Sequence, residues 1–214
     1  MTLATTQNSL VDQQHIVLDD VSWEFYEHLL EEVGDRPIRI TYDSGSLEIM
    51  APLNIHEYWK TCIGRLIENM CLERDIKMLP GGSTTFRRKD REKGLEPDEC
   101  YYFQNIDVMR HKRGEMDLTK DPPPDLAVEI DITSRSIARE PIYAALGIPE
   151  LWRFDGKKLT VLRLAPSGKY KPQKNSGLFP FLPMEEFNRY LKRFEEEDHN
   201  AVVRAFQKWV VALP

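Results

Sequence analysis

Two acids stand where carboxylates are costly. Glu129 lies inside the apolar run Leu126-Ala127-Val128-Glu129-Ile130, and Asp98 opens the segment Asp98-Glu99-Cys100-Tyr101-Tyr102-Phe103. A carboxylate within a buried strand needs hydrogen bonds, an opposite charge or a metal ion to offset its lost hydration. Residues two apart in a strand share a face, so Asp125, Ala127, Glu129 and Asp131 point the same way. Oxygens converging from adjacent strands suit Mg²⁺, which takes carboxylates and keeps several waters. An ion held so activates water and offsets charge on a phosphate. Pro97-Asp98 and Pro124-Asp125 are also turn formers, and for Asp125 a strand-start role is the plainer expectation.

Basic side chains cluster in Arg87-Arg88-Lys89-Asp90-Arg91-Glu92-Lys93 and in Arg110-His111-Lys112-Arg113. Either cluster can contact phosphates, with Arg87, Arg88 and Lys89 as the first candidates. The bland alternative is a soluble turn with interspersed acids. His56 has no second histidine at helical spacing, so a capping or surface role is expected rather than metal ligation. Tyr101-Tyr102 is expected to pack in the core instead of stacking on a base. No phosphate-binding glycine loop, dinucleotide fingerprint or nucleophile elbow is present.

Hydrophobic spacing supplies the elements that must position these groups. Trp23, Phe25, Tyr26, Leu29 and Leu30 predict a helix capped by Ser22 and stopped by Gly34. Residues 39–42 and 47–50 predict a hairpin around Asp43-Ser44-Gly45-Ser46. Trp59, Ile63, Leu66, Ile67 and Met70 predict a strong helix with Glu57 on its other face. Strands are expected over 83–88, from Pro97 to Phe103 and over 125–132, with a basic loop over 105–121. A helix is expected from a Ser134 cap to Leu146, with Pro141 kinking it or starting it afresh. A second hairpin turns at Asp155-Gly156, and helices close the chain. The stripe Phe187, Tyr190, Leu191 and Phe194 is expected to cover the sheet, although it could serve a homodimer.

The 214 residues suit one domain over 15–214, after a leader at 1–14 that is expected to be mobile. Apolar residues make up 41% and charged residues 30%, a balance that excludes a disordered chain and a membrane protein. Acids outnumber bases by 35 to 29, which argues against a nonspecific coat on nucleic acid but leaves room for a local basic cleft. Three cysteines without a CxxC pair argue against a disulfide framework or a zinc site. With no signal peptide at the N-terminus, a cytoplasmic location is expected.

Several of these segments together resemble a known family. Glu96-Pro97-Asp98, Pro124 through Ile130, and Tyr143 with Gly147-Ile148-Pro149-Glu150-Leu151-Trp152 look like the Uma-type restriction endonucleases of photosynthetic bacteria. Gly82 to Arg88 and Met50 to Glu57 extend the likeness, which spans roughly residues 20–165. It implies the PD-(D/E)xK nuclease fold: α/β, a restriction-endonuclease-like mixed sheet flanked by helices, here with an extra N-terminal hairpin and C-terminal helices. It also implies a Mg²⁺-dependent endonuclease, with Mn²⁺ as a substitute, that hydrolyses DNA by a metal-activated water. By position, Asp98 matches the metal-binding Asp, Glu129 the acid of the (D/E)xK strand, and the Ile130 carbonyl a further ligand. The Lys of that strand is replaced by Asp131, and the displaced position on the next helix is Arg139. Glu57 matches an auxiliary acid. Arginine keeps a charge able to stabilise a phosphate transition state but cannot serve as a base. The alternative is therefore a noncatalytic module that binds nucleic acid or protein on a decayed nuclease scaffold.

Overall fold

The computed structural model describes residues 15–34, 36–51, 53–112, 116–132 and 137–214. The expected leader and the expected Ser134 cap lie outside the described residues. Along the chain come β1 (His15–Leu18), α1 (Trp23–Val33), β2 (Arg39–Asp43), β3 (Ser46–Met50), α2 (Asn54–Glu73), β4 (Leu79–Pro80) and β5 (Phe86–Arg88). A 3-10 turn (Lys89–Arg91) leads to β6 (Lys93–Leu95), β7 (Glu99–Tyr102), α3 (Ile106–Arg110), β8 (Met116–Asp117) and β9 (Leu126–Ile130). Then follow α4 (Arg139–Leu146), β10 (Glu150–Phe154), β11 (Leu159–Leu164), β12 (Tyr170–Gln173), α5 (Met184–Arg193) and α6 (His199–Val211).

The expected α/β architecture of mixed sheet and flanking helices is present. Among the described residues the strands form two sheets, ordered β12-β11-β10-β9-β7-β4 and β1-β3-β2-β6-β5-β8. In the first, β9 and β10 are parallel and joined through α4, because a parallel pair needs a crossover. Alternation along β9 then sorts its side chains. Leu126, Val128 and Ile130 join a core with Trp59, Ile63 and Leu66 of α2 and with Phe187 and Phe206 of α5 and α6. Ala127 faces the opposite way, toward Ile142, Tyr143 and Leu146 of α4. Glu129 shares the face of Ala127. Phe187, Leu191 and Phe194 are thus spent on the chain's own core, as the stripe on α5 leads one to expect.

The hairpin expected near the N-terminus is not an appendage. It forms the middle of the second sheet, with β6 hydrogen-bonded to β2. Ile40, Tyr42 and Leu47 pack on Trp23 and Tyr26 of α1, whose first turn is capped as expected, Phe25 N–H donating to Ser22 Oγ at 3.1 Å. The register sets Thr41 opposite Glu48 and Arg39 opposite Met50. These four residues make the other face, and all are buried.

Three expectations need correction. The loop over 105–121 contains α3 and β8. The strand at 83–88 is ordered as β5 from Phe86 only. The helix after β9 starts at Arg139, so Pro141 falls in its first turn, where a missing N–H has no intrahelical partner to lose.

Candidate active site

Strand pairing brings the two acids together. Asp98 N–H donates to Val128 O at 3.1 Å, and the next pairs are Glu99 with Val128 and Cys100 with Ala127. Continued by one residue, that register sets Asp98 across from Glu129, and residues so opposed share a face. Both are buried, Asp98 completely and Glu129 to 3% exposure. Each is held on both carboxylate oxygens. Asp98 accepts from Ile130 N–H at 2.6 Å on Oδ2 and from the Arg39 guanidinium on Oδ1. Glu129 accepts from Arg139 Nη1 at 3.2 Å on Oε1 and from the Tyr143 hydroxyl on Oε2.

The arginines come from different layers. Arg39 descends from β2 of the second sheet, and its Nη2 reaches Glu57 Oε1 at 3.0 Å. Glu57, in the first turn of α2, is half exposed and also lies 3.6 Å from Lys60 Nζ. Arg139, the first residue of α4, is buried, and its Nε–H has no acceptor among the described residues. Burial alone would lower both guanidinium pKa values. The neighbouring acids together outweigh it, Asp98 with Glu129 and Glu57 at Arg39, and Glu129 with Tyr143, Asp98 and Glu48 at Arg139, so both are raised and both side chains stay charged. Burial, reinforced by Glu129, pushes the Tyr143 hydroxyl well above its ordinary value, so it remains a donor. Glu96 lies beside this group. Its carbonyl is 3.4 Å from Arg139 Nη1, and its carboxylate accepts from Thr85 Oγ1 at 2.9 Å. Burial raises its pKa against the opposing pull of Thr85, Arg39 and Arg139.

A cavity of about 1170 Å³ opens beside the pair, between α4, β10 and the turn into β12. Glu129, Asp131, Arg139 and Tyr143 line it, with Arg88, Arg91, Arg153 and Lys169 as its basic groups. Among the candidate phosphate contacts, Arg88 lines this cavity and also donates to Ala145 O at 3.2 Å. Arg87 and Lys89 turn toward α1 instead, lying 3.8 Å from Glu27 and 3.7 Å from Glu24 respectively. Arg110 lies 3.9 Å from Asp107 and Lys112 pairs with Asp121, while Arg113 is outside the described residues. His56 is fully buried rather than at the surface. Tyr101 and Tyr102 are core residues, as expected. Asp125 also acts locally, accepting from Phe103 N–H at 2.7 Å and Gln104 N–H at 3.0 Å. The cysteines are free and buried, and burial pushes Cys62 up to about 11 and Cys71 to about 12.

Sequence reasoning missed Arg39, Glu96 and the hydroxyl of Tyr143 as site groups. Arg39 opens its strand, where a charge is ordinary, and nothing local says that its face will be covered. The available cue was Glu48 between Leu47 and Ile49, a mid-strand acid of the same kind as Glu129.

The donors suit a divalent cation of the hard, oxygen-seeking kind. Asp98 and Glu129 offer carboxylates on one face, each of them now paired with a guanidinium group. Among the described residues, no three His, Cys, Asp or Glu side chains gather as a metal cluster. The carboxylates brought together are those of Asp98 and Glu129.

Fold and site together define an α/β protein with a paired-acid centre at the wall of a basic cavity. The model of the Uma2 family, described as "Putative restriction endonuclease", matches residues 23–190, and the chain belongs to that family. No curated protein matches it. Among solved structures, one similar chain is described as a putative nuclease belonging to DUF820 from Anabaena variabilis ATCC 29413. Identity to it is 14%, the match covers 85% of this chain and 97% of that one, and the TM-score is 0.47. Among the described residues, no helix is long and apolar enough to cross a membrane.

Proposed function

We propose that this protein is a divalent-cation-dependent endonuclease that hydrolyses DNA phosphodiester bonds. The observation that carries the reading is the pairing of Asp98 and Glu129 on one face of adjacent strands, with Arg139 against Glu129 and the cavity beside them. Asp98, Glu129 and the Ile130 carbonyl would hold Mg²⁺ or Mn²⁺. When bound, such an ion supplies an activated water and offsets phosphate charge. Arg139 faces charge developing on the phosphate, and its unused Nε–H is a donor available to an oxyanion after a small shift. Glu57 orients water or assists a second ion from the half-exposed side. DNA is the partner, held through the basic groups of the cavity. The three free thiols fit the reducing cytoplasm.

The test is cleavage of plasmid and oligonucleotide DNA with Mg²⁺ or Mn²⁺. Asp98→Ala and Glu129→Ala are expected to abolish cleavage while far-ultraviolet circular dichroism stays native. Full activity in both variants rejects the assignment. A second reading is favoured by Arg139 itself. An arginine paired with the catalytic acid, where the family pattern has lysine, fits a noncatalytic module that binds nucleic acid or protein. That reading expects salt-sensitive binding without turnover, and metal-dependent cleavage lost in Asp98→Ala eliminates it.

A further inference from the structure

We propose that Arg39 is a resident countercation, occupying the place on Asp98 that a divalent ion must take, so that metal binding displaces it. The inference rests on the reading of Asp98 as a metal carboxylate. Oδ2 of Asp98 is committed to the backbone N–H of Ile130 at 2.6 Å, and Oδ1 is the atom that Arg39 grips. An ion approaching Oδ1 meets a buried guanidinium already there, and two cations at one oxygen repel. The other arm of Arg39 is on Glu57, 3.0 Å away and half exposed. A displaced Arg39 therefore keeps an anchor on this half-exposed carboxylate and can pivot rather than lose its charge partner. Arg39 also belongs to the second sheet, so the contact ties metal binding to the fit between the two sheets.

A purely structural ion pair makes a different forecast from a resident countercation. If Arg39 only fastens the sheets, its removal lowers stability and leaves metal affinity unchanged. If it competes with the metal, its removal leaves a buried carboxylate that needs a cation, and affinity rises. The experiment is Mn²⁺ titration by calorimetry of the wild type, Arg39→Gln and Arg39→Gln/Asp98→Asn at mildly alkaline pH. Thermal melts with and without Mn²⁺ run alongside. Arg39→Gln is expected to melt lower than the wild type, to bind Mn²⁺ about tenfold tighter or more, and to regain melting temperature with the metal. The gain is expected to vanish in the double variant.

Equal or weaker binding by Arg39→Gln, with the wild type still binding, overturns the proposal and leaves the metal reading of Asp98 intact. A gain that survives in the double variant also overturns it, because the ion then sits elsewhere. No binding by either protein removes both the proposal and the metal reading. Should Arg39→Gln fail to fold, nitrogen-15 spectra of the wild-type arginine side chains decide. Mg²⁺ is expected to release the slowed Arg39 guanidinium resonances, and unchanged Arg39 signals under saturating, calorimetrically observed binding reject displacement.

Discussion

Every carboxylate oxygen of the central pair has a donor, and the donors are not equivalent. Tyr143 is fully buried and gives its hydroxyl to Glu129, while Arg139 gives a charged N–H to the other oxygen. Tyr143→Phe removes one hydrogen bond to a charged acceptor and is expected to cost about 1.5–3 kcal/mol, read from the urea midpoint. An unshifted midpoint would mean that the hydroxyl does not hold Glu129. Glu96 makes a prediction in pH. Its pKa is raised in the folded protein above the ordinary 4.5, mainly by burial. The native state therefore binds more protons than the unfolded chain just above that value, and stability falls as pH rises through the window. Glu96→Gln removes this loss while keeping an acceptor for Thr85. Its melting temperature relative to wild type should rise as pH is taken upward from about 4.5. A constant difference across that range would show that the Glu96 carboxyl titrates as it does in water.

The elements that carry the site were legible to very different degrees. The helix at 54–73, the strand at 126–130 and the hairpin around Asp155-Gly156 follow from apolar spacing, because each buries one face against a large core. The acid pair was legible for the same reason, since a carboxylate in an apolar strand has to be explained. Arg39 was not, because its burial is decided by a second sheet whose strands β5, β6 and β8 are only two or three residues long. So few residues carry no periodicity, and long-range pairing places them. Arg87 and Lys89 show the same limit, since their partners Glu27 and Glu24 belong to a distant helix. The seat of α1 on that sheet depends on Gly94, where an added Cβ would lie 2.0 Å from the Tyr26 hydroxyl oxygen. Tyr26 is stacked on Tyr42 at 4.9 Å and cannot withdraw without unpacking Trp23. Gly94→Ala is therefore expected to cost about 1–3 kcal/mol by overpacking. The near-ultraviolet dichroism of the aromatic cluster should change with it, and native spectra with unchanged stability would show that α1 can shift freely.

Across the whole molecule the charge balance opposes DNA, so any binding has to be local. The net charge is -6, yet Arg88, Arg91, Arg153 and Lys169 line one cavity beside the acid pair. Three of these are already engaged, Arg153 with Glu140 at 2.5 Å, Arg88 with Asp90 at 3.1 Å and, most loosely, Arg91 with Asp90 at 3.7 Å. Arg91 and Lys169 flank the opening from different elements, the 3-10 turn and the turn before β12, and are the better candidates to track a phosphate backbone. Each phosphate neutralised releases counterions, so the logarithm of affinity falls with the logarithm of salt by about 0.9 per contact on duplex DNA and about 0.7 on single strands. Arg91→Ala and Lys169→Ala should each flatten that slope by about one contact, and the double variant by about two. Lys89→Ala, turned toward Glu24, should leave the slope alone. Anisotropy of labelled DNA in a chelator, which prevents cleavage, gives the slope of the wild type and of each variant directly. A slope that drops for Lys89→Ala and not for the cavity pair would move the DNA track from the cavity to the surface beside α1, and the acid pair would then lie off the path of the phosphates.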